Sequence, residues 1–454
     1  VKMMIGIDGE WGLFQRFPAA HKFPWAMTLG AIQDNSLIYE MTSKIAEDCK
    51  RMGIYWDFAP VVDVNTNPAN PIIGNRSFGS DINNVIAKGL AYAQGLQDNG
   101  VLASMKHFPG HGDTDTDSHL DLPVVSHNLE RLNSVELAPF KALLDKKIGG
   151  VMVAHLYVPA LEKQSGIPAS VSYDIITNLL KKSYQYNGLI ITDALNMNAV
   201  AKKFPAGELD LRAFKAGNDI MLFSQDVPNG KALIKAAIEK GEISENRLAE
   251  SVKKILKTKY LLGLQNLKSI NSENINEDLN NASHAELSEK LYSNAITLLK
   301  DEKNLLPLSC SETYYYLPLE EAPFQTFVEN LNLGTTVKVI SKTEIAQIPE
   351  NSTVIVGFHK DNSTAYKSYK ISQESKDILA ELSKKQNVIL DVFGSPYALK
   401  DVDISTISTV LVSYENNDLS LKASAKAILG KTKISGKLPV IVNENLKAGS
   451  GIEK

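Results

Sequence analysis

The chain has 454 residues, of which 44% are hydrophobic and 22% charged, and its formal net charge is -4. That length allows two or three domains, and that balance fits a folded globular protein rather than a disordered one. The slight acidity argues against nucleic-acid binding, which calls for a basic face, and no apolar run is long enough to cross a membrane.

The first element, Met3–Asp8, reads as a strand ending in a carboxylate, with no signal peptide before it. So abrupt a start points to a truncated or processed chain, which leaves the compartment open. Further strands are expected at Tyr55–Asp63, Val101–His107, Gly150–His155, Leu189–Leu195 and Asp219–Ser224. Helices are expected between them at Asp34–Met52, Asn83–Asn99, Ser134–Lys147, Ser172–Tyr186 and Glu208–Ala216. Strands alternating with helices predict a parallel sheet. Polar residues recur at the strand ends: Asp8, Asp63, Lys106 with His107, His155 and Asp193. Convergence of strand ends on one site is the pattern of a (β/α)8-type TIM barrel. The rival, an open doubly wound sheet, would concentrate its chemistry at one switch point. Six strands against eight leave two explanations: a first βα unit upstream, or a strand that the pattern does not show.

A basic helix, Glu245–Leu261, leads into a stretch rich in Asn, Ser and Glu. Residues 1–268 therefore read as the barrel domain, 269–285 as a linker, and 286–454 as a smaller doubly wound α/β sandwich domain. Its strands are expected at Tyr314–Leu319, Thr336–Ile340, Thr353–Phe358, Val388–Phe393 and Val410–Ser413. Its helices are expected at Pro323–Leu331, Gln373–Lys384 and Leu419–Leu429, and the tail Lys447–Lys454 reads as loose. Cys49 and Cys310 are either two free thiols or one bridge, and not a disulfide framework.

The chemistry concentrates in Lys106-His107-Phe108-Pro109-Gly110-His111-Gly112-Asp113, which closes on Asp117-Ser118-His119. In extended chain Asp117 and His119 point to the same side. A carboxylate there fixes the imidazole tautomer and favours its charged form, so the pair can give a proton and later take one back. The same pair would equally serve as a loop salt bridge. Asp193 closes an apolar strand, where a nucleophile, a base and a metal ligand are all open to it. An N-cap for the following helix is an evenly matched reading. Asp8, Arg76, Lys106 and His107 form a set suited to gripping hydroxyls. Arg76 also fits a surface arginine, whereas Lys106, ending a buried strand, needs a partner or a ligand. His111 and Asp113 are assigned to the loop's form. His107, His111 and His119 match no zinc spacing, and no dinucleotide, Walker or Gly-x-Ser-x-Gly motif occurs, so no metal or other cofactor is expected.

Together these residues resemble the β-N-acetylglucosaminidases of glycoside hydrolase family 3. The resemblance rests on the Lys106–Thr114 run with Asp117-Ser118-His119, on Phe58–Val64, on Arg76-Ser77-Phe78-Gly79, on Ile191–Met197 and on Ala216–Asp219. It covers residues 5 to about 265, and weaker matches at Ala295–Lys300, Leu305–Leu308 and Ser435–Val440 extend it over the second domain. It implies Asp193 as a nucleophile that forms a covalent glycosyl-enzyme, His119 as the acid/base and Asp117 as its partner. It also implies that Asp8, Arg76, Lys106 and His107, with Met197, hold the terminal sugar. The chain departs from the family after Asp8, where Gly9-Glu10-Trp11-Gly12-Leu13-Phe14 stands for the common x-Glu-Gly-Gly-Arg-Val. Trp11 there either stacks on substrate or fills the space of the missing glycine.

The implied reaction is retaining removal of a terminal β-linked GlcNAc from muropeptides or chitin fragments, as in cell-wall turnover or recycling. A GlcNAc-terminated oligosaccharide or muropeptide is then the expected partner, and the oligomeric state is not legible. Three alternatives stand beside it: a β-N-acetylglucosaminide phosphorylase, a non-catalytic sugar-binding barrel, and a β-glucosidase. The last predicts a different loop after Lys106-His107.

Overall fold

A computed structural model describes residues 2–115, 122–267, 269–362, 364 and 367–454. They divide into two compact units. The first comprises Val1–Lys22, Ile38–Ile73 and Ile82–Leu279; the second comprises Phe23–Leu37, Gly74–Asp81 and Asn280–Lys454.

The first unit is built on five parallel strands, paired in chain order: β1 (Ile5–Ile7), β2 (Ile54–Asp57), β3 (Leu102–Phe108), β4 (Gly150–Val153) and β5 (Leu189–Thr192). Every residue of β4 and β5 is buried, as is all of β3 after Leu102. Continuous burial is what a parallel sheet covered on both faces requires, and the sheet curls as part of a TIM-barrel-like domain. Trp56, Phe58, Met152, Leu189 and Ile191 form one apolar cluster, and the Trp56 indole donates to Ser104 Oγ at 2.9 Å, joining β2 to β3.

The sixth expected strand, Asp219–Ser224, is reduced to a single bridge between Ile220 and Ile191. The reason is local. Side chains take the backbone donors on either side of the bridge: the Asp219 carboxylate accepts the Ile190 N–H at 3.1 Å and the Thr192 hydroxyl accepts the Leu222 N–H at 3.0 Å. The helices Ser36–Arg51, Ile82–Asp98, Glu208–Ala216 and Glu245–Leu261 form within two residues of expectation. Ser172–Tyr186 becomes a π-helix, Asp174–Ser183. Ser134–Lys147 is cut into a π turn, Leu132–Glu136, and an α-helix, Ala138–Leu144, with Pro139 in its first turn.

The detail that matters most is in β3. Met105 pairs with Val151 and Phe108 with Val153, so β3 spends one residue more than β4 over this step. The extra residue falls at Lys106–His107, whose peptide is cis, as is Phe108–Pro109. A bulge of this kind re-aims side chains, so two successive residues need not point to opposite faces.

The second unit carries a six-stranded sheet of β6 (Thr297–Asp301), β7 (Thr313–Leu319), β8 (Thr336–Val339), β9 (Thr353–His359), β10 (Asn387–Phe393) and β11 (Thr409–Val412). Its order is β6-β11-β10-β9-β7-β8, parallel except for β6, which runs antiparallel to β11. This is a doubly wound α/β sandwich, with Tyr316, Phe327, Ile355, Ile389, Phe393 and Leu411 in its core. The stretch expected to be a linker contains the helix Ile275–Leu279 and the start of Ala282–Ala295, which Asn281 caps by accepting the Ser283 N–H at 3.0 Å. Within this unit the buried Glu415 accepts from the Trp25 N–H at 2.8 Å, the Thr28 hydroxyl at 2.7 Å and the Tyr292 hydroxyl at 3.0 Å. Cys49 and Cys310 are both free thiols.

Candidate active site

The C-terminal ends of the first unit's strands gather the ionisable groups. Lys106 is 2% exposed and its ammonium lies 2.9 Å from Asp8 Oδ1 and 2.8 Å from Glu10 Oε1. A buried ammonium needs such partners, since charge without compensation is costly in a dry interior. Burial pulls the Asp8 carboxyl up, but Lys106 and Arg16, the latter 2.5 Å from Oδ2, hold it below its ordinary value.

The next residue reaches a different carboxylate. His107 Nδ1 lies 2.7 Å from Asp63 Oδ2, so the acid keeps a proton on Nδ1 and orients the ring. Asp63 also accepts the backbone N–H of His111 at 2.7 Å. Burial raises the Asp63 carboxyl, yet His107, His111 and these donors keep it below the usual range. The β3 bulge thus lets Lys106 reach the residues after β1 and lets His107 reach Asp63 in the segment that follows β2.

His111 itself is fully enclosed. Its Nδ1 is 2.7 Å from Thr114 Oγ1, its carbonyl accepts from Asn70 Nδ2 at 2.9 Å, and burial pushes its pKa down to about 4. Gly112 follows because its backbone runs against Val64: a Cβ there would sit 1.9 Å from the Val64 carbonyl oxygen.

Asp193 stands immediately after β5, half-buried, its Oδ1 accepting the N–H of Ala194 at 2.8 Å. Burial favours its neutral form, but His107, His155, the Ala194 N–H and Lys106 together hold it ionised below the ordinary carboxylate range. His155, after β4, is locked between Ser170 Oγ at 2.7 Å and the Ala194 carbonyl at 2.9 Å. That second bond reaches the residue beside Asp193. A carboxylate kept ionised in a desolvated place, beside cations and imidazoles, is the state a nucleophile needs.

Asp8, Lys106, His107 and Asp193 are thus brought to one end of the sheet. Met197 lies buried four residues beyond Asp193, before the short helix Asn198–Ala201. Trp11 is half-buried beside Glu10. Arg76 sits half-buried on the 3-10 turn Gly74–Arg76, which belongs to the second unit. Asp117 and His119 lie outside the described residues. Both flanks of their segment are described: Asn70 and Asp63 hold the upstream side, and on the downstream side Val125 and Pro123 pair with the backbone of Tyr157 at 2.9 Å.

Sequence reasoning missed Glu10 as the second partner of Lys106, and it missed Asp57. The Asp57 carboxyl is wholly buried at the end of β2 and accepts the Gly9 N–H at 2.9 Å, and burial pushes its pKa up to about 7. The folded chain therefore holds a proton that the unfolded chain has lost between pH 3.8 and about 7, so this group costs stability progressively across that window and no further above it. Asp57→Asn keeps an acceptor for Gly9 and cannot ionise. Relative to the natural chain it is expected to gain stability as pH rises from about 4 to about 7, read as the difference in urea midpoints. His111 acts in the opposite direction over part of this range, but it is common to both proteins and cancels. Parallel pH curves for the two proteins would overturn the assignment.

Residues 1–258 match the profile of the glycosyl hydrolase family 3 N-terminal domain. The chain is 32% identical to a β-hexosaminidase A of Pseudoalteromonas piscicida, over 97% of this chain and 83% of that one. It is 35% identical to the β-hexosaminidase LpqI of Mycobacterium tuberculosis, over 56% of this chain and 67% of that one. Among solved structures, a family 3 β-N-acetylglucosaminidase from a Paenibacillus species superimposes with a TM-score of 0.78 at 31% identity, covering 98% of this chain and 87% of its own.

Proposed function

We propose, on the premise that this chain belongs to glycosyl hydrolase family 3 and is a glycoside hydrolase, that it removes a terminal, non-reducing β-linked GlcNAc with retention of configuration. The observation that carries the reading is the Asp193 carboxylate, ionised at a strand end among His107, His155 and Lys106. In the first step an Asp193 oxygen bonds to C1 while the C1–O bond to the leaving group breaks, and His119 passes its proton to the departing oxygen. In the second step water adds to C1, the bond to Asp193 breaks, and His119 takes a proton from that water. Asp117 is the partner that holds the imidazole's tautomer. Lys106 and His107, already fixed by Glu10 and Asp63, and Asp8 beside them, present hydrogen-bonding groups to the sugar hydroxyls, with Met197 four residues beyond Asp193. The choice of GlcNAc follows the activities named for the Pseudoalteromonas and Paenibacillus relatives. Muropeptides and chitin fragments both present that sugar.

Paired chromogenic substrates test the specificity. The aryl β-N-acetylglucosaminide is expected to turn over at least about 100-fold faster, in kcat/KM, than the matching β-glucoside, because a site that pairs with the acetamido group is left unsatisfied without it. Comparable cleavage of the two would sink the assignment.

A further inference from the structure

Among the described residues, one group of side chains apart from the strand-end cluster has the composition of a metal centre. Asp113, His127 and Glu136 each offer one ligand atom, and these atoms all lie within 4.8 Å of one another. Ligand atoms around one Zn2+ stand about 3.4 Å apart when tetrahedral, from bonds of about 2.0–2.2 Å, so closure needs only small side-chain movements. His127 Nε2 and Asp113 Oδ2 are already in hydrogen-bond contact.

Glu136 supplies the second, independent observation. It is 5% exposed, and Arg131 contacts only its Oε1, at 3.1 Å. Its other oxygen, Oε2, is buried and has no hydrogen-bond partner. A buried carboxylate oxygen without a donor is costly unless something positive meets it. The residue is also held rigidly. It ends the π turn Leu132–Glu136 and packs against Gly110, whose φ of +127° and missing side chain admit it: a Cβ on Gly110 would lie 2.8 Å from Glu136 Cβ. One imidazole and two carboxylates form a donor set that suits Zn2+ better than Mg2+ or Ca2+, which prefer oxygen alone.

We infer that Asp113, His127 and Glu136 form a Zn2+-binding site, in which the cation replaces the proton joining His127 to Asp113 and meets the unpartnered oxygen of Glu136. The site is distinct from the proposed catalytic groups, yet Asp113 and His127 flank the segment that carries Asp117 and His119. A bound cation would join those two flanks covalently in all but name. Binding itself does not depend on the glycosidase reading, so the two stand or fall separately.

The test uses the whole chain, stripped with chelator and titrated with Zn2+ alone by calorimetry at neutral pH, with the thermal midpoint measured in parallel. One Zn2+ per chain and a raised midpoint are expected for the natural protein. Asp113→Asn, His127→Gln and Glu136→Gln are each expected to weaken binding by at least about tenfold, since even outer-shell changes at metal sites cost that much. Each variant is compared with the natural protein in chelator, and the half-exposed Asp113 position keeps the test available should Glu136→Gln fail to fold. No binding by the natural protein, or binding that all folded variants retain, would overturn the site.

Discussion

Asp193→Ala, assayed with an activated aryl β-N-acetylglucosaminide, is expected to lose on the order of 10^4-fold or more in kcat, the scale on which removing a covalent nucleophile acts. The loss is electrostatic as well as covalent. The surroundings of Asp193 favour its charged form despite burial, through His107, His155, the Ala194 N–H and Lys106. That preference is directed at an anion that can attack C1. Added azide should restore part of the lost rate in this variant. Because azide then displaces the aryl group directly, the product should be the α-glycosyl azide. A variant that stays active without azide would remove Asp193 from the reaction. Unrescued inactivity with a β-configured product in the natural enzyme would point instead to the substrate's own acetamido oxygen as the nucleophile.

His119→Ala is expected to behave differently, and its size should depend on the leaving group. General acid catalysis contributes roughly 10²–10⁴-fold. That full loss should appear with an alkyl or sugar leaving group, whose departing oxygen needs a proton. With dinitrophenolate, which needs none, the first step should be nearly intact and the glycosyl-enzyme on Asp193 should accumulate as a burst. Azide attacks that intermediate from the face water would use, so here the rescued product should be the β-glycosyl azide. The two variants therefore give opposite anomers from one substrate. Equal losses on activated and unactivated substrates would count against His119 as the proton donor.

The apolar runs revealed the strands because burial on both faces leaves them almost without polar interruptions, and β3, β4 and β5 were legible for that reason. The polar residue after each run was legible too, which is why Asp8, Lys106, His107 and Asp193 could be singled out. What the chain did not display was pairing. Glu10 meets Lys106 across 96 residues of sequence, and Asp57 sits inside Ile54-Tyr55-Trp56-Asp57, where nothing local distinguishes a buried acid from an outward-facing one. The bulge at Lys106–His107 is likewise a relation between two strands. Asp219–Ser224 shows the converse: a plausible apolar run is cut to one bridge where the Asp219 and Thr192 side chains take backbone donors on either side of it. β6 escaped notice because its run is short, ends in Lys300-Asp301 and pairs antiparallel in an otherwise parallel sheet. Phe23–Leu37 and Gly74–Asp81 belong to the second unit through partners far later in the chain, such as Glu415 for Trp25 and Thr28 and Pro439 for Ser80.

Those distant contacts set a schedule for biosynthesis. Trp25 and Thr28 give their hydrogen bonds to Glu415, 390 and 387 residues downstream. At a synthesis rate of about 5–20 residues per second, the amide of Trp25 is made roughly 20–80 s before its acceptor exists. During that interval Trp25 and Thr28 have yet to meet their final acceptor, so the segment that carries them completes its hydrogen bonding only when the chain is nearly finished.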